Sequence, residues 1–143
     1  TDRSFSVQKD IKGVFDQITG VNDVSGQVYR LYNAAFKRFP DVGGLAGWIQ
    51  VNRAGQISLD QTAASFVSSP EFANLYGSNV TNQSYVTNLY ANVLGRTPDI
   101  GGYNGWLNAL NGGAIARSNM LLQFANSQEN IGLFVQQTGI STS

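Results

Sequence analysis

The sequence predicts an all-α fold: a compact helical bundle of two pseudo-symmetric multi-helix repeats behind an N-terminal helix. The first observation is an internal copy. Residues 86–106, VTNLYANVLGRTPDIGGYNGW, match residues 28–48, VYRLYNAAFKRFPDVGGLAGW, with every pair 58 positions apart (86 − 28 = 58). The match runs on without a gap through Gly55/Gly113, Ile57/Ile115, Phe66/Phe124, Ser69/Ser127, Glu71/Glu129 and Leu75/Leu133, as one supersecondary unit used twice would. The second observation is apolar spacing at helical period, broken by cap and turn residues at matching places in both copies.

In chain order, residues 1–24 lie outside the repeat. Ile11, Val14, Phe15 and Ile18 recur at i, i+3, i+4, i+7, which predicts a leading helix packed on the first repeat and ended by Gly20. Phe5 and Val7 alternate with polar residues too briefly for a strand. Repeat one spans 25–77 and repeat two 84–136, joined by a polar linker at 78–83 and followed by a frayed tail, 137–143, all within one domain. The first helix of each repeat is expected to start near Ser25 or Ser84. Its apolar face is Val28, Leu31, Tyr32, Ala35 and Phe36, or Val86, Leu89, Tyr90, Val93 and Leu94. Phe39 and Thr97 precede prolines, which push them out of helical backbone and stop the helix there. Asp41 and Asp99 then stand where an N-cap is wanted.

The second helix carries Gly43, Gly44 and Gly47, or Gly101, Gly102 and Gly105. Glycine in a helix costs up to about 1 kcal/mol against alanine, so close approach of a neighbouring helix or loop is expected to offset it. Leu45, Trp48 and Ile49, or Tyr103, Trp106, Leu107 and Leu110, pack on the other side. Gly55 and the Gly112-Gly113 pair fit left-handed C-terminal caps. Ser58 with Gln61 forms a capping box for the third helix; Ala116 and Asn119 replace them in the copy, so that box is lost. Ser69-Pro70-Glu71 opens the fourth helix, with Phe72, Leu75 and Tyr76 facing inward, and Ser127-Gln128-Glu129 keeps two of those three signals. The linker holds two N-glycosylation patterns, Asn79-Val80-Thr81 and Asn82-Gln83-Ser84.

Composition narrows the function. The 143 residues contain no cysteine and no histidine, which removes thiolate nucleophiles, Ser-His-Asp triads and Cys/His zinc sites. The net charge is zero and only 13% of residues are charged, so no field draws a phosphate backbone or an anionic membrane. Nucleic acid and membrane insertion are not expected, and no calcium loop pattern is present. The chain begins at Thr1 without a signal-like segment, which suggests a processed protein or a fragment.

The run LYANVLGRTPDIGGYNGWLNALNGG followed by LLQFANSQEN strongly resembles the bacterial family catalogued as domain of unknown function 4214. The pattern covers 28–76 and 86–134, and it is more distantly similar to phycobilisome linker domains. Repeat one departs from it at Phe36-Lys37-Arg38-Phe39, where the family has Leu-Gly-Arg, and Gly47 and Gly105 stand where an aromatic precedes the tryptophan. The resemblance implies a module of large secreted or cell-surface bacterial proteins, often beside calcium-binding repeats and type I secretion signals, linked to adhesion or extracellular polysaccharide.

The repeated corner supplies the candidate ligand residues. Trp48, Trp106 and Tyr103 offer rings that stack on sugars, Asp41 and Asp99 offer charge-assisted hydrogen bonds to hydroxyls, and Asn104 adds an amide. Each has a structural alternative, the tryptophans as core anchors and the aspartates as caps. Arg38, Pro40, Arg96 and Pro98 are expected to close the corner, the arginines by a local ion pair with Asp41 and Asp99. Asp41 with Glu71 and Asp99 with Glu129 are the recurring carboxylate pairs, and both sit in helix-start contexts rather than catalytic ones. No catalytic residue, metal or cofactor is expected. The expectation is a non-catalytic extracellular binding module for a glycan or surface polysaccharide; the alternative is a structural domain contacting other domains of a larger protein.

Overall fold

Local signals set each helix, and the computed structural model describes residues 13–14, 17–20, 23–38, 40–77 and 79–138. In copy one the helices are α1 (Val24–Phe36), α2 (Val42–Arg53), α3 (Leu59–Val67) and α4 (Pro70–Tyr76). In copy two α5 runs Asn82–Leu89 and continues as a π-helical turn, Tyr90–Leu94, before α6 (Ile100–Asn111), α7 (Arg117–Ala125) and α8 (Gln128–Thr138). The described residues contain helices and no strand. None of their helices is long and apolar enough to cross a membrane.

The caps fall where local chemistry is strongest, which moves several expected boundaries. Asp23 and Thr81 cap α1 and α5, accepting from Gly26 and Ser84 N–H. The expected starts at Ser25 and Ser84 were therefore late; Ser84 is the donor to the cap. Neither first helix reaches its proline. They end at Phe36 and Leu94, because Lys37 (φ 53°) and Gly95 (φ 69°) turn left-handed. Thr97 lies beyond that end, and Phe39 is outside the described residues. Gly55 (φ 73°) and Gly113 (φ 76°) are left-handed as expected, whereas Gly112 is right-handed. Around Gly55, Gln56 N–H donates to the Val51 carbonyl and Gly55 N–H to that of Asn52, with Ala114 to Ala109 and Gly113 to Leu110 repeating it; this is a Schellman closure.

Ser58 and Gln61 form the full capping box. In the copy half of it survives, because Asn119 Oδ1 accepts from Ala116 N–H at 3.2 Å. Ser69 and Ser127 cap α4 and α8 through Phe72 and Asn130 N–H. The linker is shorter than expected, since α5 already starts at Asn82, and α8 continues past residue 136. Both glycosylation patterns overlap structural residues: Thr81 is a cap, and Asn82 Oδ1 accepts from Arg117 Nε at 3.1 Å.

A main core draws on both copies, from Leu31, Tyr32, Phe36 and Phe66 to Leu89, Tyr90, Leu121 and Phe124. The copies meet where α3 and α1 pack on α7. Buried Arg30 on α1 donates to the Ala125 carbonyl and to Asn126 Oδ1, at the C-terminal end of α7 where the helix dipole favours a cation. A second core holds Val14 and Ile18 of the lead against Val28, Tyr29, Leu45, Ile49 and Phe134. The lead thus packs on the first repeat as expected, while Phe5, Val7, Ile11 and Phe15 lie outside the described residues. Leu75, expected inward, is 45% exposed.

Candidate functional site

Each corner is built around an arginine just past the left-handed residue. Arg38 binds both oxygens of Glu71, Nε to Oε2 at 2.6 Å and Nη2 to Oε1 at 2.9 Å. Arg96 does the same to Glu129 at 2.8 Å and 3.0 Å. Each guanidinium also lies 5.0 Å from a tyrosine ring centroid, that of Tyr32 or Tyr90 on the preceding helix. One planar cation thereby ties the first helix, the turn and the start of the fourth helix together, a geometry that suits arginine and not lysine. The local ion pair was expected to be with the aspartate. Asp41 and Asp99 are only secondary partners, at 3.5 Å and 3.9 Å, and their carboxylates are mostly in water.

The arginine hydrogen bonds hold the Glu71 and Glu129 carboxyls below their ordinary range. A general acid requires the opposite shift. Among the described residues, no group of three or more potential metal-ligating side chains gathers that could hold a metal ion.

The aspartates differ. Asp99 accepts from Gly102 N–H at 3.0 Å and caps α6 as expected. Asp41 occupies the N-cap position of α2 without a side-chain cap bond; its Oδ1 lies 3.5 Å from both the Tyr32 hydroxyl and Arg38 Nη1. Pro40 is buried and Pro98 half-buried. The expected close approach to the glycine helices holds for the middle glycine alone. A methyl on Gly102 would sit 2.6 Å from the Tyr90 hydroxyl, and one on Gly44 3.2 Å from Asp41 Oδ2. At Gly43, Gly47 and Gly105 there is open space, and at Gly101 only ordinary contact.

Both tryptophans are half-buried, the core-anchor arrangement. Trp48 meets Phe66 at 5.1 Å and Trp106 meets Phe124 at 5.2 Å between ring centroids. Tyr103 is half-buried against the main core, and Asn104 is exposed. Because α2 packs on α1 and α6 on α5, each corner stays with its own copy.

A model of the family described as Domain of unknown function (DUF4214) matches residues 63–134. The chain belongs to this family. Comparison with curated proteins and with solved structures gave no match. The DUF4214 match takes in the complete second corner, Arg96 and Glu129 included, and of copy one only the end of α3 and α4.

Sequence reasoning missed a surface. On α6, Ile100 is 81% exposed, while Tyr103 and Leu107 are half-buried; at the same positions of α2, Val42 is 37% exposed, Leu45 0% and Ile49 5%. The lead, with Tyr29 and Phe134, covers the α2 positions. Gly13 abuts the Val42 side chain, Gln17 Nε2 donates to the Val42 carbonyl at 3.1 Å, and Val14 and Ile18 share a core with Leu45 and Ile49. A signal was available, since Ile100, Tyr103 and Leu107 are spaced i, i+3, i+7 and residues 1–24 lie outside the repeat.

Proposed function

We propose that this is a non-catalytic module that makes protein contacts within a larger secreted or cell-surface protein, acting through the outer face of α6. The single observation that carries this reading is the uncharged Ile100–Tyr103–Leu107 stripe, with Ile100 81% exposed and the other two half-buried where their counterparts Leu45 and Ile49 are buried. Contiguous exposed apolar surface marks an interaction site more often than scattered residues do. The arginine-bound state of Glu71 and Glu129 supports the non-catalytic part of the reading. The test introduces Ile100→Asp into the parent protein: disturbed assembly, with a glycan array blank for the wild-type module, is the expected result.

A second reading is carbohydrate recognition, favoured by the half-buried Tyr103 and Trp106 rings beside exposed Asn104 and Asp99. Aromatic faces and amides suit a sugar's apolar face and hydroxyls. Glycan binding that disappears in Tyr103→Ala and Asp99→Ala would establish it and overturn the first reading.

A further inference from the structure

We infer that a groove along the C-terminal half of α2 binds the end of a partner peptide, with a free C-terminal carboxylate on Arg53 and an aliphatic last side chain against Ala46, Ile49 and Ala54. The site is separate from the α6 contact and does not depend on it. The groove encloses about 620 Å³, inside the size range of ligand clefts, roughly 300–1,000 Å³. Its apolar part is the two alanines and Ile49, and its polar part is Gln50 and Arg53 of α2 with Gln17 and Thr19 facing them. A cation, amides and an aliphatic surface side by side complement what a chain end presents.

Arg53 carries the argument. Arg38 and Arg96 are each held by a glutamate, whereas Arg53 forms no ion pair with a described carboxylate and donates from Nη2 to Thr19 Oγ1 at 3.3 Å. That hydroxyl in turn donates to Asp23. Asp23 is already engaged by Ser25 and by Gly26 N–H as the cap of α1, so it reaches Arg53 only through Thr19. The guanidinium fork matches a carboxylate in a way an ammonium does not. The negative end of the α2 dipole would oppose an anion, but the closure at Gly55 occupies the carbonyls of Gln50, Val51 and Asn52. Gln17 Nε2 donates to the Gly13 and Val42 carbonyls, which leaves its oxygen to accept a peptide N–H. Copy two supplies no equivalent charge: Asn104, Asn108 and Asn111 stand at the positions of Ala46, Gln50 and Arg53.

The experiment titrates N-acetyl-Gly-Gly-Leu, as the free acid, into the isotope-labelled full chain at fixed ionic strength and follows backbone amide signals by NMR. The expected result is shifts concentrated in residues 17–20 and 46–54, absent when the same peptide ends in an amide and not reproduced by sodium acetate. Arg53→Gln should weaken binding about tenfold or more, the loss of charge-assisted hydrogen bonds. Arg53 is exposed in the last turn of α2, so the variant keeps its fold, which unchanged amide signals from α5 to α8 would verify. The inference is overturned if the free acid causes no shifts, if the amide or acetate moves the same residues equally, or if Arg53→Gln binds as well as wild type. Ile100→Asp should leave this titration unchanged, so a failure here and a failure of the α6 reading are told apart.

Discussion

Helices α2 and α6 start from the same corner in the two copies, yet Leu45 and Ile49 of α2 are buried where Tyr103 and Leu107 of α6 are half-buried. The difference is local. At matched positions of the fourth helices the copies agree, since Leu75 and Leu133 are 45% and 40% exposed. Leu45 and Ile49 are covered by the lead together with Phe134 and with Tyr29, whose counterpart in copy two is Thr87.

The sharpest way to break the comparison is to truncate one residue on each helix. Leu45→Ala should cost about 3 kcal/mol, as for other fully buried leucines, whereas Tyr103→Ala should cost about 1 kcal/mol, in line with a half-exposed side chain. Denaturant midpoints with unchanged slopes would measure both; equal losses would mean that the two helices are equally covered.

The glycines come next. Gly102→Ala pushes a methyl into the Tyr90 hydroxyl, whose ring is held against Phe124 at 5.0 Å, and should destabilise by about 1–3 kcal/mol. Gly44→Ala meets only the Asp41 carboxylate, a mobile group, and should cost less. Gly47→Ala and Gly105→Ala face open space and should stabilise by about 0.5–1 kcal/mol. Thermal unfolding of the four variants checks the order.

The left-handed position is a smaller contrast. Lys37 stands at φ 53° where the other copy has Gly95. Lys37→Gly should stabilise by up to about 1 kcal/mol and Gly95→Lys should destabilise by a similar amount. Equal midpoints for both would show that the corner, and not the cap residue, sets this backbone.

The smallest effect is electrostatic. The folded carboxyls of Glu71 and Glu129 titrate below the ordinary glutamate range, held there by their arginines. Their contribution is therefore complete above the unfolded value and is lost as pH falls through the folded one. Both side chains are about 40% exposed, so water screens the pairs and the slope should be shallow. Stability measured from about pH 6 down to pH 3 should fall less steeply in Glu71→Gln and Glu129→Gln than in wild type.

Much of this was legible in the residues. The stripe of α1, the Ser58–Gln61 box, the Ser69 and Ser127 caps and the left-handed Gly55 and Gly113 all come from chemistry within a few positions of each other. The ion pair was half legible: Arg38/Arg96 and Glu71/Glu129 recur together at one offset, but they lie 33 positions apart in each copy, beyond any local rule. Helix ends were misjudged because Lys37 turns left-handed before proline can act, and a lysine gives no warning of that.

By itself the sequence determined the all-helical fold and several of its caps, since period, caps and turns are set by neighbours along the chain. Only the tertiary structure decided how deeply two like faces are buried, because among the described residues Val14 and Ile18 share a core with Leu45 and Ile49 and not with Tyr103 or Leu107, and such contacts join segments far apart along the chain.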